Sequence, residues 1–314
     1  MPAIDSVEPT RFSFTSADGR RIACACWQAG GQARGVVQIA HGLGEHIGRY
    51  AVLAQYLVQS GLTVYGNDHR GHGRTAIPPG GFGDFGPGGF NLLVEDMFRL
   101  TLIARKDNSG LPVILLGHSM GSFAAQQFAI DHSELIAGLV LSGSGALDGL
   151  VSLAQATRNP SEEILNAHFQ PARTAADWLS RDPAVVDAFL HDPLCFGWLK
   201  PSATESFFAA APRLADPANL RRIRRDLPIY AFSGSEDPVG LQRRGVHTML
   251  DRYREAGVSG ISLDFYPGGR HEMLNEVNRD EVRSNLLRWV SRVSAHGRQI
   301  VSALVPARRT DSML

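Results

Sequence analysis

The sequence predicts an α/β protein: a mostly parallel sheet of about eight strands flanked by helices, with a helical cap inserted into it. Three observations carry this reading. Strand-like apolar runs alternate with helical patterns along most of the chain. One run, Pro112 to Leu116, passes straight into Gly117-His118-Ser119-Met120-Gly121 and then into a stretch of small, helix-compatible residues. Between a strand ending near Ser142 and one starting near Ile229 lie more than about eighty residues without a clear strand, far beyond an ordinary connection.

Taken in order, Arg11 to Thr15 and Arg21 to Trp27 alternate in polarity around Ala17-Asp18-Gly19 and predict an antiparallel hairpin. Gly35 to Ala40 is an apolar strand that runs into His41-Gly42-Leu43-Gly44-Glu45-His46. A helix follows over Tyr50 to Gln59, stopped by Gly61. Leu62 to Gly66 is the next strand, closing on Asp68-His69-Arg70-Gly71-His72-Gly73. The Gly/Pro-rich loop from Pro78 to Gly89 lacks the G-K-[ST] ending of a phosphate-binding loop. A helix over Leu92 to Lys106 leads to the central strand. Strands are then expected at Gly138 to Ser142, Ile229 to Ser233 and Ile261 to Tyr266. The long interval reads as short helices limited by Pro160, Pro171, Pro183, Pro193, Pro201 and Pro212. Residues 1–146 and 221–295 are therefore expected to form the core, 147–220 the cap, and 296–314 a frayed tail.

Composition narrows the function classes. The 314 residues carry 31 basic and 31 acidic side chains, so nothing global favours nucleic acid or an anionic membrane. The N-terminus MPAIDSVEPTRF has no apolar signal segment, and no run of about 18 apolar residues occurs. The chain is accordingly expected to be cytoplasmic. Cys24, Cys26 and Cys195 are expected to be reduced, small buried residues. Arg221-Arg222-Ile223-Arg224-Arg225 reads as a solvated helix face, with transient contact to a lipid surface as its functional alternative.

The chemistry is read from G-x-S-x-G outward. In a nucleophile elbow a strand turns sharply into a helix and exposes a serine Oγ above the sheet. A serine hydroxyl is a poor nucleophile near neutral pH, so it needs a base, and the base needs an acid to orient it. Elbow enzymes of this type place them in the order Ser, acid, His. Asp237 follows the strand ending at Ser233, and His271 lies in the loop after Tyr266. Asp148, after the strand ending at Ser142, is a rival acid, and Glu236 is adjacent to the preferred one. Two backbone amides are needed to hold an oxyanion. Met120 supplies one at a helix N-terminus, and Leu43, in the loop after the third strand, supplies the other. His41, His46, His69, His72 and His118 gather toward the same edge of the sheet. They lack metal-ligand spacing, so they are read as turn caps and no metal is expected. Among the cap's apolar residues Phe189, Leu190, Leu194, Phe196, Trp198, Leu199, Phe207 and Phe208, a few are expected to line an acyl pocket. The run Leu194 to Leu199 is the most apolar stretch, and Leu194, Phe196 and Trp198 are the chosen substrate contacts.

The stretches HGLGEHIGRY, Asn67 to Arg74, GHSMG, GSEDPV and GGRHE together resemble monoacylglycerol lipases and related lysophospholipases of the α/β-hydrolase fold. The likeness spans roughly Phe12 to Val293 and includes His191-Asp192-Pro193-Leu194. It implies Ser119 as nucleophile, Asp237 as acid, His271 as base, and the Leu43 and Met120 amides as oxyanion donors. One departure stands out: family elbows often read GHSMGG, whereas Ser122 takes the last position here. The expected function is hydrolysis of acyl esters of the monoacylglycerol or lysophospholipid kind, without cofactor. The same triad would also serve a thioesterase, an acyltransferase or a cofactor-free perhydrolase. A ligand-binding protein that kept the fold is the non-enzymatic alternative.

Overall fold

In a computed structural model the described residues are 7–76, 81–157 and 162–304. The expected hairpin forms as β1 (Thr10–Thr15) and β2 (Arg21–Trp27), paired antiparallel with Phe12 opposite Cys24. Then come β3 (Val36–Ala40), α1 (Ala51–Gln59), β4 (Thr63–Asn67) and α2 (Gly89–Asp107). The centre of the chain folds as β5 (Val113–His118), α3 (Met120–His132) and β6 (Gly138–Ser142). The sheet is completed by β7 (Ile229–Gly234) and β8 (Ile261–Tyr266).

The eight strands run in the order β1-β2-β4-β3-β5-β6-β7-β8, and every pair from β4 onward is parallel. All residues of β3 to β7 are buried, which is why they read as continuous apolar runs rather than alternating ones. Edge strand β1 has no buried residue and alternates instead. Along the inner strands Leu115, Leu139, Leu141 and Ala231 face one apolar layer that includes Phe123 and Phe128. Ile114, Leu116, Val140 and Phe232 face a second layer with Leu53, Leu57, Leu286 and Trp289. Each fully buried Leu, Ile, Val or Phe among them contributes about 1.5–3 kcal/mol.

Between β6 and β7 the described chain forms α4 (Leu147–Thr157), α5 (Glu162–Asn166), α6 (Pro183–His191), α7 (Pro201–Phe208), α8 (Ala211–Ala215) and α9 (Pro217–Leu220). Proline begins α6, α7 and α9, where its missing N–H costs nothing. Asp182 caps α6 by accepting from the Ala184 amide. Helices α10 (Arg244–Glu255) and α11 (Arg279–Leu304) follow.

Two expectations are corrected. Helix α11 continues through 296 to Leu304, so the tail does not fray where expected. Ser294 is buried there, and Gly297 lies so close to Pro112 that a Cβ would stand 3.0 Å from it. Residues 305–314 of the expected tail, Pro78 of the Gly/Pro-rich loop and Pro160 lie outside the described residues. The run Arg221–Arg225 is a turn, not a helix face, because Ile223 is pulled into the core behind α9. Arg222 pairs with Asp131 at 3.0 Å and Arg224 with Asp226 at 2.7 Å. Among the described residues no helix is long and apolar enough to cross a membrane.

Candidate active site

The parallel register brings the carboxyl ends of β5, β6, β7 and β8 level, with His118 beside Ser142 and Gly234 beside Tyr266. Ligand sites of open α/β sheets form at this edge. Ser119 sits between β5 and α3 with φ 51° and ψ −124°, a backbone conformation that side-chain-bearing residues rarely adopt. The turn closes because Gly121 lets α3 start against β3: a Cβ there would stand 2.2 Å from the Ala40 carbonyl oxygen. Asp237 is fully buried just past β7. It accepts from the Ser233 hydroxyl and the Val239 amide, both at 2.9 Å. His271, in the loop after β8, places Nδ1 2.9 Å from Asp237 Oδ1. Its ring is held between His118 and Trp178, with centroids 4.7 and 4.8 Å away. The opposite nitrogen, Nε2, is buried without a hydrogen-bond partner. Asp237 on one side requires the proton on Nδ1, which leaves Nε2 as an available base.

Ser119 and His271 line one cavity of about 50 Å³, space for only a few waters. Its floor includes Leu43 and Met120, and its roof comes from the helical segment through Leu165, Trp178, Phe189, Trp198 and Phe207. Among the described residues neither the Leu43 nor the Met120 amide takes part in a turn or loop hydrogen bond. Met120 N–H, in the first turn of α3, has no intrahelical acceptor either. The polar wall is Glu45, His118 and Glu272. Arg49 joins the two carboxylates, 2.7 Å from Glu45 Oε2 and bidentate to Glu272 at 2.7 and 2.8 Å. Burial pushes the Glu45 carboxyl up, but the Arg49 guanidinium, helped by the Tyr50 hydroxyl, holds it below the usual carboxylate range. Burial, with His271 nearby, lowers the His118 imidazole to about 4, so it is neutral near pH 7.

The family described as serine aminopeptidase, S33, matches residues 31–278. A monoacylglycerol lipase from Mycolicibacterium smegmatis is 32% identical, over 90% of this chain and 96% of its own. Human monoglyceride lipase is 28% identical over 90% of each. The chain is a monoacylglycerol lipase-like α/β-hydrolase. A thermostable carboxyl esterase from Bacillus coagulans superposes with a TM-score of 0.82 and 28% identity, covering 91% of this chain and 99% of that one. With lipases among its relatives and an esterase among its structural neighbours, this hydrolase is a serine ester hydrolase.

Around the site of this hydrolase the other sequence-derived candidates are dispersed. Asp148 lies far from His271 in its bonding: it is bidentate to Arg252 at 2.9 and 2.7 Å. That pairing holds its carboxyl below the usual range. Glu236 turns outward to His168 at 3.2 Å. Of the three chosen substrate contacts, Trp198 lines the cavity, and Leu194 and Phe196 do not. The run is irregular rather than helical, and the Phe196 amide donates to the Gly44 carbonyl at 2.9 Å. That tie sets the Phe196 ring over His72 and Phe82, with centroids 4.9 and 5.5 Å away. Phe189 and Phe207, also in the apolar set, do reach the cavity, while Leu190 is 47% exposed.

The histidines divide. His41, His69 and His72 form a buried stack, with His41 4.2 Å from His69 and 5.2 Å from His72 between centroids. His46 turns instead to Asp192, at 2.9 Å. Among the described residues His46, Asp192 and Cys195 hold the one grouping whose ligating atoms, all within 4.8 Å, would suit a metal ion. His46 Nδ1 accepts from the Gly48 amide, so Nε2–H donates to Asp192 and the pair is satisfied as a hydrogen bond. Trp178, Glu45 and Glu272 escaped the sequence reading. The two glutamates adjoin motif residues, which was their only signal, and Trp178 gave none.

Proposed function

We propose that this enzyme hydrolyses monoacylglycerol-like or lysophospholipid-like acyl esters through Ser119, His271 and Asp237 and an acyl-enzyme. The observation that carries the proposal is His271: one nitrogen bonds Asp237, and the other is an unpartnered buried atom of a residue lining the same cavity as Ser119. Ser119 Oγ attacks the ester carbonyl carbon while His271 Nε2 takes its proton. The carbonyl π electrons move to oxygen, where the Leu43 and Met120 amides meet the charge. Collapse breaks the bond to the alcohol, which leaves with the proton from His271. Water, deprotonated by the same nitrogen, then attacks the acyl-enzyme, and the fatty acid and Ser119 hydroxyl are released. Asp237 fixes the tautomer and stabilises the imidazolium. The scheme uses only groups of this chain and water.

The substrate class is supported by the monoacylglycerol lipases among the relatives and by the apolar roof. We read 147–220 as a cap over a core of 1–146 and 221–295. The test is a panel of monoacylglycerols, lysophospholipids, acetate and butyrate esters and acyl thioesters. Higher kcat/KM on medium and long monoacyl esters, lost in Ser119→Ala, is the expected result. Thioesters preferred over the matched esters would overturn the substrate class, and an active Ser119→Ala would overturn the triad.

A further inference from the structure

We propose that Ser122 and His41 are positioning residues for the oxyanion hole, gripping from behind the two peptide groups whose amides face the developing charge. The proposal rests on the assignment of the Leu43 and Met120 amides as the oxyanion donors. The Met120 N–H shares a peptide group with the Ser119 carbonyl, and the Leu43 N–H with the Gly42 carbonyl. In a trans peptide the N–H and C=O point in opposite directions, so whatever fixes the carbonyl aims the amide.

Both carbonyls are gripped by buried side chains. Ser122 Oγ is 2.6 Å from the Ser119 carbonyl oxygen, which also accepts from the amides of Ser122 at 2.8 Å and Phe123 at 3.3 Å. His41 Nδ1 is 2.8 Å from the Gly42 carbonyl oxygen. Proton positions follow from the partners. His41 Nε2 accepts from the His69 amide at 2.9 Å, so the ring proton is on Nδ1 and is donated to Gly42. A carbonyl can only accept, so the single Ser122 proton goes to Ser119. Ser144 therefore donates to Ser122 Oγ across their 2.8 Å contact, and Gln126 Nε2 donates to Ser144 Oγ at 3.0 Å. The result is an ordered run of donors, Gln126 to Ser144 to Ser122, ending on the elbow peptide. Each bond in such a run polarises the next, and a polarised carbonyl makes its own amide a stronger donor. Gly42 is held on its other side too, where its amide donates to Glu45 Oε1 at 2.5 Å.

A serine bonded to a carbonyl one turn back in a helix is commonplace and by itself means little. Two features set this one apart. The carbonyl belongs to Ser119, which itself has a positive φ, and the second oxyanion peptide is held in the same way by an unrelated side chain.

The experiment compares wild type with Ser122→Ala and Ser122→Thr in the full chain. It measures kcat and KM on p-nitrophenyl butyrate and inhibition by an alkyl boronic acid, whose tetrahedral serine adduct puts an oxygen in the oxyanion hole. In Ser122→Ala, kcat and boronate affinity should fall together by about tenfold while KM stays within about twofold. Ser122→Thr should recover most of both. Unchanged kcat and boronate affinity in Ser122→Ala, or a loss carried by KM alone, overturns the proposal. For His41, the Asn variant keeps a donor near the Nδ1 position and the Leu variant does not, so Asn should bind the boronate more tightly. Equal affinity removes His41 from the proposal. Ser119→Ala run alongside separates the two levels: if it still hydrolyses ester, the underlying triad falls. If it is inactive and Ser122→Ala is normal, only the positioning role falls.

Discussion

Acidification should cost this fold several kcal/mol between about pH 7.5 and pH 5, and the cost can be worked from its buried imidazoles. Burial lowers His41 to about 4, His72 to about 3 and His118 to about 4, and lowers His69 well below its ordinary value. In the unfolded chain each has a pKa of about 6.5. A depressed histidine pKa means that the unfolded state binds more protons, so stability is complete above about pH 6.5 and falls as pH drops toward the folded value. At about pH 5 each neutral buried ring then costs roughly 1.36 × 1.5, or about 2 kcal/mol. His41, His72 and His118 sum to about 6 kcal/mol, and His69 adds in the same direction. Their contacts with one another make about 3–6 kcal/mol the expected range, a large share of a typical total of about 5–15 kcal/mol. Carboxylates titrate mainly below this window, so the slope belongs to histidines. The assay is urea unfolding by tryptophan fluorescence at four pH values with a shared m-value. His72→Phe should flatten the slope by about one proton, since its ring already lies against Phe85 and Phe196. Stability constant to within about 1 kcal/mol from pH 7.5 to 5 would refute the reasoning.

Two further predictions concern the site. Asp237→Asn should lower kcat by about 10⁴-fold, because an amide presents a donor where His271 Nδ1–H needs an acceptor. Asp148→Asn should leave kcat near wild type and change stability by about 0–1 kcal/mol, since its pairing with Arg252 is partly solvent-exposed. The reverse pattern in steady-state kinetics would make Asp148 the orienting acid. Trp198→Ala and Phe207→Ala should reduce kcat/KM for long acyl esters more than for an acetate ester. Each methylene that loses its wall forfeits up to about 0.8 kcal/mol. An unchanged long-to-short ratio with a lowered melting temperature would mean that both rings only hold the cap.

The strands and their order of connection were legible because β3 to β7 are buried on both faces and so read as unbroken apolar runs. The elbow was legible because its backbone demands glycine at fixed spacing, and Gly121 does meet the Ala40 carbonyl at a distance no Cβ tolerates. The placement of Asp237 and His271 could be read because both follow strand ends, where the fold exposes side chains. The segment between β6 and β7 resisted the same treatment. Its apolar residues look alike in sequence, and their facing is set by long-range ties such as the Phe196 amide on the Gly44 carbonyl. Trp178 contacts His271 across the molecule, a pairing without local signal. Arg221–Arg225 misled because charge suggested a helix face, whereas burial of Ile223 dictated a turn. Helix α11 ran past the expected tail because burial of Ser294 and close packing of Gly297 on Pro112 extend it.

The nucleophile is tested most directly by a fluorophosphonate probe, which phosphonylates an activated serine, followed by intact-mass and peptide analysis. One adduct per chain, located on Ser119, absent from Ser119→Ala and much slower to form in His271→Ala, is the predicted result. An adduct on another serine, or labelling of Ser119→Ala at the wild-type rate, would contradict the account.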